Sequence, residues 1–332
     1  MTFLRRTLLA AATGSSGLAA GLVLPGAALA VSFPDRPVRI ILPFAPGGNS
    51  DIVARLIAPV MSARLGQPVV VENRAGAGGS IGATAVARAR PDGYTVLFGS
   101  TGPLSVNPAV QASLPYDAER DFAPIGLLSR TPLVLAVTAA LPPRTLVELI
   151  AYSKANPGRV TIASAGTGSS THLALELFNA ASGAGMTHVP YRSGGDLIPD
   201  LMAGNVASTM TEISTAMPLH REGRIRILAI GSAQRSPVAG DLPTFIEAGL
   251  PDYTAGSYTA LLVPAGTAAD VVATLRDALA MAIADPGVIA RLREMGTEVA
   301  SAEEATPAGL TRVLQHEAEL ARRGAAIAGL RP

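Results

Sequence analysis

Short β-branched runs alternate with helix-periodic runs along almost the whole chain, which restricts the fold to α/β architecture with largely parallel sheets. Residues 38–42 (Val-Arg-Ile-Ile-Leu) read as a buried strand bounded by Pro37 and Pro43. Ile52, Val53, Leu56, Ile57, Val60 and Met61 then recur at helical spacing. Residues 69–72 and 94–98 predict two more strands, separated by a glycine-rich turn and a helix near 81–89. Further strands are expected at 133–137, 160–163, 226–230 and 260–263, with helices at 145–156, at 170–182 and over most of the tail from Ala268. At 332 residues, 48% of them hydrophobic, the chain has material for about two domains.

Ligands on open α/β sheets sit beyond the carboxyl ends of strands, in loops that enter helices. Two loops fit that rule. Residues 43–51 read Pro-Phe-Ala-Pro-Gly-Gly-Asn-Ser-Asp, with Asn49, Ser50 and Asp51 as capping residues for the helix that follows. Residues 164–172 read Ser-Ala-Gly-Thr-Gly-Ser-Ser-Thr-His and repeat the arrangement. A helix start carries about half a positive charge and favours an anion. Either loop alone is equally well read as a capped turn, but the pair, about one domain apart, points to a cleft between domains that holds an acidic ligand.

The first thirty residues read as a signal segment. Arg5 and Arg6 form a basic start, residues 8–24 are apolar but interrupted at 14–17, and Ala28-Leu29-Ala30 fits a cleavage site. The paired arginines allow a twin-arginine route as well as the general one. Cleavage removes both arginines and no acid, lowering the formal net charge of +1 by two. That balance offers no nucleic-acid or anionic-membrane surface. The absence of cysteine excludes disulfides, a thiol nucleophile and a lipid-attachment site.

Catalytic motifs are missing. Lys154 is the only lysine and follows Ser153, so no P-loop exists. Gly76-Ala77-Gly78-Gly79-Ser80-Ile81-Gly82 places its last glycine one residue too late for a dinucleotide fingerprint. No G-x-S-x-G elbow occurs, although Ser169 or Ser170 with His188 keeps a periplasmic hydrolase open on residue types. His172, His188, His220 and His316 lack metal-ligand spacing and a neighbouring carboxylate cluster. No paired carboxylates mark glycosidase chemistry. Neither metal nor cofactor is expected, and the chain reads as built to hold a molecule without transforming it.

Ordered short segments carry a resemblance over nearly the whole mature chain. They include Phe33-Pro34-Asp35-Arg36-Pro37, Pro43-Phe44-Ala45-Pro46-Gly47-Gly48 with Asp51, and Val69-Val70-Val71-Glu72-Asn73-Arg74-Ala75-Gly76-Ala77-Gly78-Gly79. Pro91-Asp92-Gly93-Tyr94, Leu114-Pro115-Tyr116-Asp117, Lys154-Ala155-Asn156-Pro157-Gly158, Thr187-His188-Val189-Pro190-Tyr191 and Glu247-Ala248-Gly249-Leu250-Pro251 follow in order. In these the chain resembles the tripartite tricarboxylate transporter substrate-binding proteins, also called Bug proteins. The resemblance implies a periplasmic-binding-protein fold, with two α/β lobes, a two-strand hinge and a ligand cleft between them. Lobe 1 would comprise 31–131 with 257–332 and lobe 2 residues 132–256, with hinge crossings near 132–137 and 256–263.

By the same resemblance a small carboxylate (a di- or tricarboxylate, an acidic amino acid or an aromatic acid) is held by Ala45, Gly47, Gly48 and Asp51 in one loop. Gly166, Thr167, Gly168, Ser169, Ser170 and His172 form the other. Ser100, Thr101, Tyr191 and Arg192 are implied as further contacts, with Arg192 available to a second carboxylate. The sequence departs from the family pattern at Ser193-Gly194-Gly195-Asp196-Leu197, at Ala207 and at Met210-Thr211-Glu212. Ala207 and Thr211 are therefore expected at the selective end of the ligand. The expected role is a monomeric periplasmic receptor delivering its ligand to membrane permease subunits. Alternatives are a ligand-loaded partner of a signalling domain and the serine hydrolase.

Overall fold

The computed structural model describes residues 33–330, so the expected signal segment lies outside the described residues. In chain order the elements are β1 (Val38–Leu42), α1 (Asn49–Leu65), β2 (Val69–Asn73), α2 (Ser80–Ala87), β3 (Thr95–Ser100) and α3 (Asn107–Val110). Next come β4 (Phe122–Thr138), α4 (Leu146–Ala155), β5 (Thr161–Ser164), α5 (Ser170–Ser182), β6 (Thr187–Pro190) and α6 (Gly194–Ala203). The chain continues through β7 (Ser208–Glu212), α7 (Ile213–Arg221), β8 (Ile225–Ile230) and β9 (Gly256–Pro264). It ends with α8 (Ala269–Ala284), α9 (Pro286–Glu294), β10 (Glu298–Val299) and α10 (Pro307–Ile327).

One strand joins two half-sheets. β4 pairs with β9 from Phe122↔Pro264 to Pro132↔Gly256, then with β7 from Leu133↔Glu212 to Val137↔Ser208, and with β8 beyond Val134. The first half-sheet runs β2-β1-β3-β9-β4, its first three strands parallel; the second runs β4-β7-β5-β6, its last three parallel. β4 extends eleven residues further toward its N-terminus than the expected 133–137 strand. Pro124, Gly126 and Pro132 interrupt its apolar pattern, and the ladder accommodates the first two by a register shift between Pro124 and Gly126.

Both faces of each half-sheet are covered, so strands are apolar continuously instead of alternately. Ile40, Val96 and Phe98 face α1 and α8 residues such as Ile57 and Leu279, while Ile41 and Leu97 face Val86 and Leu310 on the other side. In the second half-sheet Leu133, Leu135 and Val137 join Phe178 and Phe245, and Val134 and Ala136 join Leu197 and Met217. Among the described residues no helix is long and apolar enough to cross a membrane.

Candidate functional site

Four helices begin at one place. α1 starts after Gly48, α5 after Ser169, α6 after Ser193 and α7 after Glu212, each helix following the carboxyl end of a strand. Their starts line a small, partly open cavity of about 30 Å³ together with Phe44, Ala45, Ser100, Ala165, Ser257 and Tyr258. Local chemistry explains the ends. Ser169 Oγ accepts the His172 amide at 3.1 Å and Ser193 Oγ accepts the Asp196 amide at 3.2 Å. Gly48 holds an extended conformation before α1 without a side-chain cap. With about half a positive charge at each start, the converging main-chain amides make the cavity a candidate anion site.

Its polar groups are incompletely used. The buried hydroxyls of Ser100, at the end of β3, and Thr211, on β7, have no hydrogen-bond partner. Such a group costs about 1–3 kcal/mol when left unsatisfied. Ser100 lines the cavity. Thr211 Oγ1 lies 3.3 Å from where a Cβ on Gly194 would stand.

Two carboxyl groups line the cavity and differ in their surroundings. Burial would raise the Asp51 pKa, but hydrogen bonds from Arg55 Nε at 3.0 Å, Asn73 Nδ2 at 3.0 Å and the Gly47 amide at 3.2 Å bring it below its ordinary value. Glu212 receives a long hydrogen bond from Ser257 Oγ, at 3.4 Å, and burial pushes its carboxyl up by more than its own amide and the nearby Ser257 and Thr211 hydroxyls lower it. No lysine, arginine or histidine lines this cavity.

The loops of the two half-sheets meet backbone to backbone. A Cβ on Gly195 would stand 2.8 Å from the Pro46 carbonyl oxygen and 3.2 Å from the Gly48 nitrogen. A Cβ on Gly78 would run into the Thr167 carbonyl. Glycine is required here for close approach as much as for dihedral freedom. A buried side-chain bond adds to the contact: Ser214 Oγ on α7 donates to Asn49 Oδ1 on α1 at 2.8 Å.

The structure gathers some of the expected residues and separates others. Ala45, Gly48, Asp51, Ser100, Ser169 and Ser170 line the cavity. Gly47, at φ +90°, is exposed and serves by donating its amide to Asp51. Gly166, Thr167, Tyr191 and Arg192 line a separate, open cavity of about 610 Å³ with Gly76, Ala77, Gly78 and Asp196. There Arg192, its side chain 79% exposed, donates to Asp196 Oδ2 at 3.2 Å, and the Tyr191 hydroxyl donates to Asp200 at 2.6 Å. Gly168, at φ +81°, packs on the Asn107 side chain.

Thr101 accepts the Tyr258 amide at 2.9 Å and lines an adjoining cavity that shares Ser170 and Ser257 with this one and also has Arg130 and Glu317 in its wall. Ala207 precedes β7, five residues at about 3.3 Å each from the Glu212 end of that strand, where this cavity lies. Thr211 sits beside the cavity wall. Glu212, Ser193, Ser257 and Tyr258 were not singled out as contacts. Ser193-Gly194-Gly195 carried the glycine-and-hydroxyl signal of a helix start, while Ser257 and Tyr258 carried none.

The fold brings two of the histidines together. His172 and His188 stack with ring centroids 4.4 Å apart, and with Glu176 their donor atoms lie within 4.8 Å of one another, the group among the described residues able to approach a cation together. His172 Nδ1 accepts the Gly168 amide at 3.2 Å, so this ring supports the loop from behind. Burial, with His188 adjacent, lowers the His172 pKa to about 4, and burial lowers that of His188. His188 Nε2 pairs with Ser164 Oγ at 2.6 Å, while Ser169 Oγ donates to the Gly166 carbonyl at 2.6 Å as part of its cap. No serine–histidine pair forms at Ser169 or Ser170.

Residues 53–330 match the Tripartite tricarboxylate transporter family receptor. The chain is 37% identical to Protein BugT of Bordetella pertussis over 302 residues, 91% of this chain and 90% of that protein. MatC of Rhodopseudomonas palustris, solved with bound malate, superposes with a TM-score of 0.85 at 36% identity, covering 88% of this chain and 99% of that one. A second R. palustris protein, solved with adipate, gives a TM-score of 0.86 at 34% identity over 90% and 99%.

Proposed function

The chain belongs to the tripartite tricarboxylate transporter receptor family, a family of non-enzymatic binding proteins with the periplasmic-binding-protein fold, and on that premise we propose that it captures a small carboxylate in the periplasm and presents it to membrane permease subunits. The observation that carries the reading is the convergence of four helix starts on a cavity that holds two unpartnered hydroxyls nearby. Malate and adipate, bound in two relatives, support a small carboxylate as the ligand class.

In this reading residues 31–131 with 257–332 and residues 132–256 act as two lobes about β4 and the start of β9. Ala45, Gly48, Ser100, Ser169, Ser170 and Thr211 contact the ligand, and Asp51, His172 and Gly168 hold the loops that do so. Closure is the signal to the permease, because a ligand stabilises the closed form only through its higher affinity for that form.

Thermal unfolding of the purified protein tests this against mono-, di- and tricarboxylates, amino acids and the matching amides. A binding acid raises the melting temperature by mass action, and its amide does not. A set in which no acid shifts the transition sinks the proposal.

A further inference from the structure

A bound acid would share one small cavity with the carboxyls of Asp51 and Glu212, and no cation lines its wall. Asp51, on α1, has its charge balanced by Arg55 at 3.0 Å. Glu212 ends β7 at the point where β4 changes partners, opposite Leu133. Its Oε1 accepts the long bond from Ser257 on β9. Its Oε2 lies 3.6 Å from where a Cβ on Gly194 would stand, at the start of α6. The hydroxyl of Thr211, fully buried one residue earlier on the same strand, has no partner.

The other titratable groups on the elements around Glu212 are engaged elsewhere. On β9 the Tyr258 hydroxyl pairs with Ser105 at 2.8 Å, and burial raises its pKa. On β4 Arg130 is held by Glu304 and Glu317, at 3.1 Å each, in the adjoining cavity that Glu298 also lines. On α6 Asp196 pairs with Arg192 in the open cavity. The start of α5 presents only Ser169 and Ser170, and α7 carries its basic groups in its last turn. His172, behind the 166–172 loop, titrates on the acid side, at about 4.

An ionised carboxyl only accepts hydrogen bonds, whereas a neutral one also donates. Like charges confined to one site do not both ionise, so one of them holds a proton. With a ligand carboxylate among the helix starts, that proton belongs on Glu212, because burial already favours its neutral form. Asp51 keeps its charge through Arg55 and Asn73.

We propose that Glu212 recognises the ligand as a carboxylic acid, its O–H donating to an oxygen of the bound carboxylate, so that capture of the anion is linked to one proton on this side chain. Solvent supplies the proton wherever the unliganded carboxyl is ionised. The inference rests on the carboxylate reading above and adds the protonation state in which the acid is recognised.

Titration calorimetry of the wild type, Glu212→Gln and Glu212→Met tests it with the same panel of acids, malate and adipate first. The range from about pH 6.5 to about pH 9.5 lies above the titration of simple carboxylic acids and spans that of buried ones. Wild-type affinity should fall by up to about tenfold per pH unit above the Glu212 pKa. On that limb the binding heat should differ between Tris and HEPES buffers, reporting uptake that approaches about one proton per ligand. Glu212→Gln retains a neutral donor, so its affinity should be flat with pH and its heat independent of buffer. Glu212→Met has no donor and should bind at least about tenfold more weakly than Glu212→Gln, the loss of a hydrogen bond to a charged group. A pH-independent wild type, an alkaline loss that persists in folded Glu212→Gln, or equal binding by the two variants overturns the role of Glu212 and leaves the carboxylate reading intact. If no acid of the panel binds the wild type at any pH, both fall.

Discussion

Ser214 donates a hydrogen bond to Asn49 across 2.8 Å, and through it the start of α7 on the second half-sheet is tied to the start of α1 on the first. Both residues are buried, and Asn49 also donates to Thr131 on β4 at 3.4 Å. The bond spans the two sides that the ligand would bridge.

Ser214→Ala should therefore weaken ligand binding by about fivefold, since one buried hydrogen bond contributes about 1 kcal/mol. The loss should appear in titration calorimetry. Asn49→Ala should produce a similar loss, and the double variant should be less than additive because the two residues share one interaction. Full additivity would show that the clasp is not the source.

Gly195 is the most direct test of loop contact. Its φ is not in the left-handed region, so Gly195→Val is tolerated by the backbone but collides with the Pro46 carbonyl. The variant should unfold within about 1 kcal/mol of wild type in urea, well below the penalty of overpacking a rigid core. It should nonetheless lose at least about tenfold in affinity, about 1.4 kcal/mol. Wild-type affinity in the folded variant would mean that closure does not pass through this contact.

Ser100→Ala and Thr211→Val separate folding from binding by sign. Each removes a hydroxyl that is buried and unpartnered in this structure. The unliganded variants should be as stable as wild type or more so, by up to about 1 kcal/mol, because an unsatisfied group is deleted. Their ligand affinity should fall. Parallel melts with and without ligand read both quantities.

The stacked histidines predict a pH dependence. The His172 pKa falls from 6.5 unfolded to about 4 folded. Between those values the unfolded chain holds more protons, so stability falls as pH falls through that window and is flat above it. At about 1.4 kcal/mol per unit the whole window amounts to about 3 kcal/mol for His172, and His188 shifts in the same direction. Urea unfolding at about pH 7.5 and about pH 4.5 should show the decline, and His172→Asn should flatten it. Protonated His172 also can no longer accept the Gly168 amide, so ligand affinity should fall in the same range.

The two helix-entry loops are legible in the sequence because each places glycines and small hydroxyl residues between a strand and a helix. The helix expected at 170–182 coincides with α5. What escaped was whatever depends on pairing between distant strands. Glu212 and Ser257 come within hydrogen-bond distance because β7 and β9 flank β4 at Leu133 and Thr131. His172 and His188 meet because β6 pairs beside β5. Ala207 lies away from the helix-start cavity: a departure from a family pattern shows that a position varies, not which end of its strand it occupies.

The amides that open α1, α5, α6 and α7 are main chain, and apart from proline no point mutation removes them. On the proposed reading, the grip on an acid group is thus inherited by every variant that keeps the fold. Side chains at the strand ends, such as Ser100, Thr211, Glu212 and Ser257, carry no such protection and can drift. On the same reading, a duplicated gene of this build changes its ligand by substitutions at those ends and keeps the main-chain anion site throughout.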